Sequence, residues 1–325
     1  MTETPRRYGR RRCFGAAFFG TLALLLAACA TPPQTAALLA QPGARAPVEL
    51  TEVPFFPQEE YQCGPAALAM VLGWSGVNVI PDDLVPQVFV PARQGSLQIE
   101  LLGATRRHGR IPYLLQPRLT DLLDELSAGH PVLVLVNLGL SWHPVWHYAV
   151  VVGYEPGRNQ VIMRSSRLPR DVLPLEVFER IWARSNYWAL LTMVPEQLPA
   201  TAQELPFLQS VVELERLQQW QNAARAYEAA LQRWPNSLGA ALGLGNSRYA
   251  RADFVGAEKA FRHALAAHPD AAPAYNNLAQ ALSEQGRYQE AELAVKKAIE
   301  IGGPLLETYQ QTLQEIRARA RSAQP

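Results

Sequence analysis

Gln58-Glu59-Glu60-Tyr61-Gln62-Cys63-Gly64-Pro65-Ala66-Ala67-Leu68 is the stretch from which the fold can be read, because it passes from a polar loop into an apolar helix at a cysteine. Pro65 suits a first helical turn, where its missing N–H costs nothing. Ala67, Leu68, Val71, Leu72 and Trp74 give a wide buried face before Gly73 and Gly76 mark the end. The reading predicts a helix starting at Cys63 or just after it. Free amides and the macrodipole at a helix start favour a thiolate and lower a thiol's pKa. Nucleophilic thiol chemistry also needs an imidazole to move the proton and a donor aimed at the developing oxyanion. His147, opening the run His147-Tyr148-Ala149-Val150-Val151-Val152-Gly153-Tyr154, is the candidate base, and Gln58 is the candidate donor. The competing readings are an inert buried cysteine and a surface loop glutamine.

Working outward, residues 119–128 have helical spacing, while 131–138 and 148–153 read as buried strands bounded by Gly, Pro and Asn. Residues 161–164 form the next strand of a hairpin that turns at Glu155-Pro156-Gly157-Arg158-Asn159. Helices followed by a strand cluster predict an α+β domain over residues 48–197. Residues 198–206, with two prolines, form a linker to a second domain at 207–320.

That second domain repeats every 34 residues. Trp220, Phe254 and Tyr288 recur at this interval, as do Ala223, Ala257 and Ala291, then Ala230, Ala264 and Ala298, then Pro235 and Pro269. Tyr227, Phe261 and Val295 fill a fourth equivalent position, and Leu244-Gly245 stands in the leading helix of the second repeat. The pattern resembles the tetratricopeptide repeat, which implies an all-α solenoid of paired helices. Residues 306–316 would cap it. The first repeat has Ser210-Val211 where Leu-Gly is usual, which fits a helix packed on the preceding domain. Asn246, Asn276 and Gln280 fall where side chains usually face the concave side, and are the candidates for binding a protein partner; a solvated polar face is the alternative.

The pieces around Gln58, Cys63 and His147 resemble the C39-like peptidases, papain-fold cysteine proteases, over roughly residues 50 to 170. The chain is similar to the proteobacterial members that join the same two domains. The resemblance implies an α+β papain-like cysteine peptidase domain acting on a protein or peptide substrate without a cofactor. It makes Cys63 the nucleophile, His147 the general acid/base and Gln58 the oxyanion donor. Relatives usually place an aspartate after the histidine strand. Here Ser165 occupies that place, and a hydroxyl supplies no negative charge. Asp171, in what reads as the following loop, is the other candidate. His143 is the rival of His147, while His108 and His130 read as solvated. No metal-ligand spacing is present.

Arg6, Arg7, Arg10, Arg11 and Arg12 precede an apolar run over 16–28, the layout of an export signal. The run ends in Leu26-Ala27-Ala28-Cys29, which resembles a bacterial lipobox. It implies a signal peptide over 1–28, lipidation of Cys29, a flexible tether over 29–47 and attachment to a membrane by lipid. Ala30 after the cysteine favours the outer membrane, facing the periplasm. Removing 1–28 leaves 25 basic and 28 acidic groups, a net charge near −3, and no surface for nucleic acid. Cys63 would then be the one free thiol.

Overall fold

The computed structural model describes residues 31–40, 45–59 and 61–323; the signal segment and Cys29 lie outside them. Residues 33–39, expected as tether, form a short helix, α1 (Pro33–Leu39). Proline at its first position and an Ala-Leu run suffice for two turns.

From residue 45 onward the chain is one compact unit. After β1 (Val48–Glu49) come α2 (Cys63–Trp74), α3 (Pro81–Val88), β2 (Phe89–Val90), β3 (Gly95–Ser96) and α4 (Gln98–Arg107). β4 (Ile111–Leu114), α5 (Leu119–Ser127), β5 (Val132–Asn137), β6 (Trp146–Glu155), β7 (Gln160–Ser165), β8 (Leu168–Pro174), α6 (Leu175–Ala183) and β9 (Ala189–Met193) complete the α+β domain. Its main sheet is antiparallel in the order β4-β9-β5-β6-β7-β8, with β1 paired to the far end of β6. The two edge strands contain the prolines, Pro112 in β4 and Pro169 and Pro174 in β8. A missing N–H is tolerated at an edge and not inside a ladder.

The sheet and α2 bury one core. Leu68, Met70 and Leu72 of the helix pack with Leu133, Val150, Val152, Ile162 and Leu190 of the strands. Thr192 Oγ1 donates to the carbonyl of Val71 at 3.0 Å, tying β9 to the helix. Residues 64–72 of α2 are all buried, so the helix is central rather than amphipathic. Gly64 at its start is required by space, since a Cβ there would collide with the Ser96 side chain.

Seven helices follow: α7 (Glu204–Arg216), α8 (Trp220–Arg233), α9 (Leu238–Ala250), α10 (Phe254–Ala267), α11 (Ala272–Glu284), α12 (Tyr288–Ile301) and α13 (Leu306–Ser322). The alanines and aromatics of the 34-residue period are buried between helices, with Tyr227, Phe261 and Val295 in equivalent interior places. Gly245 lets α9 lie on the Phe261 ring, which a Cβ would strike. The first leading helix, α7, packs on β4, which accounts for its departure from the repeat pattern.

The linker is held as well. Buried Glu125 accepts from the backbone N–H of Ala200 (3.1 Å), the backbone N–H of Thr201 (2.7 Å) and the Thr201 hydroxyl (2.6 Å). Its Oε2 lies 2.6 Å from His130 Nδ1. Burial raises the Glu125 carboxyl, but hydrogen bonds from His130 and Thr201 outweigh it and hold the group below the usual carboxylate range. His130 is therefore part of a buried cluster, not solvated as the sequence implied. His108 is also half-buried, with Nε2 3.3 Å from the Gln87 amide. Both follow a helix end that packs inward, a tertiary effect that their polar neighbours conceal.

Candidate active site

Cys63 stands at the first position of α2, where the chain leaves an extended loop and enters the core. Tyr61, two residues earlier, is held at φ 63°, a left-handed conformation that a bulky residue seldom adopts. Gln58 is 7% exposed and its carboxamide is fixed at both ends. Its Oε1 accepts from the Ser166 N–H (3.0 Å), and its Nε2 donates to the Tyr148 carbonyl (3.1 Å). The Gln58 N–H returns to the Ser166 carbonyl at 2.9 Å, so this loop is sewn to the β7–β8 turn. One amide proton of Gln58 remains for another acceptor.

His147 is the second residue of β6 and pairs with Val136 of β5. Its Nε2 lies 3.1 Å from Ser165 Oγ, at the end of β7. With Nε2–H donating to that hydroxyl, Nδ1 keeps its lone pair for a group in the cleft. The Tyr148 N–H, on the residue after His147, hydrogen-bonds toward the Cys63 sulfur. Gln58, Cys63 and His147 thus line one open cleft of about 1160 Å³. His143 is exposed at the tip of the β5–β6 connection, against Trp142.

The electrostatics depart from expectation. Burial pushes the Cys63 thiol up, and the backbone N–H groups of Tyr148, Gly64 and Cys63 itself only partly offset this. Burial also pushes the His147 imidazole down. Desolvation therefore outweighs the helix-start effect that predicted a lowered thiol, and burial favours the neutral form of both the thiol and the imidazole. Asp171 stands on β8, not in a loop, and burial raises its carboxyl while a hydrogen bond from Ser165 lowers it.

One element of the site escaped the sequence reading. Between β5 and β6 a short hairpin extension holds Leu138, Leu140, Trp142, Val145 and Trp146 out of the core, Trp142 being 81% exposed. Asn137 Oδ1 accepts from the N–H groups of Gly139 and Val145, both at 2.9 Å, and Arg184 Nη1 donates to the Gly139 carbonyl at 2.6 Å. Val145 and Trp146 line the cleft, as do Arg93, Arg167 and Arg184. Two tryptophans flanking a histidine in a loop between apolar strands were the available signal. Among the described residues no three His, Cys, Asp or Glu side chains gather as a metal site, and no helix is long and apolar enough to cross a membrane.

In the repeats, Asn246 is exposed and Gln280 half-buried, whereas Asn276 is only 5% exposed. Asn277 links the asparagines, donating to Asn246 Oδ1 (2.9 Å) and accepting from Asn276 Nδ2 (3.3 Å).

Residues 50–189 match the model described as the Peptidase_C39 like family, and residues 209–262 and 242–304 match the tetratricopeptide repeat. The chain thus carries a C39-like peptidase domain followed by tetratricopeptide repeats. Among solved structures, a protein described as a C39-like peptidase from Bacillus anthracis is similar at 20% identity. The match covers 46% of this chain and 98% of that one, with a TM-score of 0.40. The Yersinia enterocolitica type III secretion chaperone SycD, in complex with a peptide of the translocator YopD, is similar at 17% identity over 35% of this chain and 91% of that one, TM-score 0.33. A structure described as the TPR2B-domain:pHsp70-complex of yeast Sti1 is similar at 18% identity over 34% of this chain and 91% of that one, TM-score 0.33. No curated protein shows significant similarity to the chain.

Proposed function

We propose that this protein is a lipid-anchored cysteine peptidase whose repeat domain binds a protein partner or substrate. The observation that carries the reading is the shared cleft, lined by a thiol at a helix start, an imidazole whose Nε2 is engaged by Ser165 and a clamped carboxamide. A peptide carbonyl in the cleft is attacked by the Cys63 sulfur as its proton passes to His147. The oxyanion accepts from the spare Gln58 N–H and from backbone N–H groups at the helix start. Collapse breaks the C–N bond, with His147 protonating the amine. The thioester is then hydrolysed by a water that His147 deprotonates, which regenerates the thiol and releases the acid.

Cys29 would carry the lipid and hold the protein on the outer membrane facing the periplasm, with Asn246 and Gln280 on the partner-binding face and the buried Asn276 supporting it from within. The test is hydrolysis of a fluorogenic peptide library by the full chain. Cleavage abolished by Cys63→Ala and by His147→Ala, with the fold retained, supports the reading; cleavage unchanged in either variant sinks it. Mass spectrometry of the N-terminal peptide from membranes tests lipidation of Cys29.

A second reading, a scaffold of low catalytic power, is favoured by the neutral Ser165 in place of a carboxylate. It predicts no cleavage of any library peptide by the folded wild-type chain, in which Gln58, Cys63 and His147 are all intact.

A further inference from the structure

We propose that Asp171 is a positioning residue that acts on His147 through the Ser165 hydroxyl, so that Asp171, Ser165 and His147 form one hydrogen-bonded line. Its catalytic consequence rests on the proposed peptidase chemistry. Its geometry does not.

β7 and β8 pair with Met163 opposite Asp171 and Ser165 opposite Leu168. Two steps along β7 therefore span three along β8, and the extra residue belongs to β8. β7 keeps its alternation, which puts the Met163 and Ser165 side chains on one face. Asp171, directly across from Met163, shares that face and is the diagonal neighbour of Ser165, with the bulge bending the strand beside it.

Asp171 is half-buried, and among the described residues it has no ion pair with a lysine or arginine. The adjacent Arg170 is committed to Glu49 and Glu155, and Arg164 donates to the carbonyls of Pro169 and Thr51. A half-buried carboxylate without a cation needs a donor. Ser165, itself 6% exposed, is in place to be that donor.

A hydroxyl has one proton and two lone pairs. With its proton given to Asp171, Ser165 faces His147 Nε2 as an acceptor only, across 3.1 Å. The imidazole is then fixed as the Nε2–H tautomer, with the Nδ1 lone pair directed away from Ser165. Without Asp171 the hydroxyl is free to donate to Nε2 instead, and the lone pair that must take the thiol proton is lost. The carboxylate thus supplies orientation and part of its charge at one remove. The other charged or titratable side chains lining the cleft with His147 are Cys63 from α2, Glu59 and Tyr61 from the loop before it, Arg93 after β2, Tyr148 from β6, Arg167 from the β7–β8 turn and Arg184 after α6.

The experiment is nitrogen and carbon NMR of the histidine-labelled full chain, which reads the tautomer and the titration of His147 without turnover. The wild type shows the Nε2–H tautomer and titrates below the ordinary 6.5. Asp171→Ala mixes the tautomers and lowers the midpoint by about half a unit, the scale of one charge removed at a few ångströms in a partly solvated site. Asp171→Asn, whose amide oxygen accepts the same hydrogen bond, restores the tautomer but not the midpoint. In a Ser165→Ala background, Asp171→Ala no longer changes the tautomer, while the through-space part of the midpoint shift remains. A wild-type tautomer in Asp171→Ala overturns the proposal, as does a tautomer change of the same size without Ser165. Should Asp171→Ala fail to fold, Asp171→Asn decides: an unmoved midpoint overturns it. Because peptide cleavage is not the readout, loss of the peptidase reading and loss of the relay are separate results.

Discussion

Replacing Gln58 by alanine separates what the clamp does for the fold from what it does for a reacting substrate. The substitution strips partners from two backbone groups, the Ser166 N–H at 3.0 Å and the Tyr148 carbonyl at 3.1 Å. A buried group left unpaired costs about 1–3 kcal/mol, and the open cleft beside this pair admits water, so the expected loss of stability is about 2–4 kcal/mol. Ser166 is held at φ 53°, and losing its grip releases a turn that also carries Ser165. The kinetic effect is distinct. One oxyanion donor contributes about 3 kcal/mol in the transition state, so kcat/KM should fall about 10²-fold on a peptide selected from the library. Gln58→Glu sharpens the test. Its carboxylate still accepts from Ser166 but repels the Tyr148 carbonyl and the oxyanion, whereas the protonated acid has an O–H to donate. Activity of that variant relative to wild type should therefore rise as pH falls. Urea unfolding gives the stability of each variant and steady-state hydrolysis gives the rate. If Gln58→Ala loses stability as expected but keeps kcat/KM within threefold, the oxyanion role is refuted and the residue only staples the loop.

The remaining predictions rest on burial and packing. A neutral thiol–imidazole pair needs the imidazole unprotonated and the thiol protonated in the free enzyme; burial lowers His147 from 6.5 and raises Cys63 from 9.0. The kcat/KM profile should then be broad, with its acid limb below the first value and its alkaline limb above the second; limbs displaced inward would contradict it. Glu125→Ala removes the acceptor of three donors on Ala200 and Thr201 and the partner of His130, and should cost about 3–5 kcal/mol in urea unfolding, as leaving several buried donors unpaired does. Limited proteolysis should then cut first near residues 198–202. Gly245→Ala drives a methyl into the Phe261 ring, an overpacking that costs about 1–3 kcal/mol; an unchanged melting temperature would mean that α9 shifts freely.

What could be read from the chain, and what could not, divides along local and non-local physics. The repeats were legible because close helix pairs demand alanine at fixed places and aromatics between them, and both demands recur every 34 residues. The start of α2 was legible from Cys63, Gly64 and Pro65, a local signal. The edge strands were not: β4 and β8 carry Pro112, Pro169 and Pro174, which read as breaks until the sheet order shows that their N–H side is unneeded. That is why Asp171 read as a loop residue. β9, a short apolar run between β4 and β5 in the sheet, offers no period by which to tell strand from helix. Inside the site the same division holds. Helix-end electrostatics argued for a lowered thiol, but burial is set by β6, β3 and the core around α2, none adjacent in sequence, and it prevails. The functional consequence follows from that balance. A pair left neutral by desolvation relies on the correct imidazole tautomer more than on a standing ion pair, so the groups behind His147 matter through the lone pair they leave free. A serine in that place is then a workable choice only if something fixes its proton, and the bulged strand beside it carries the carboxylate able to do so.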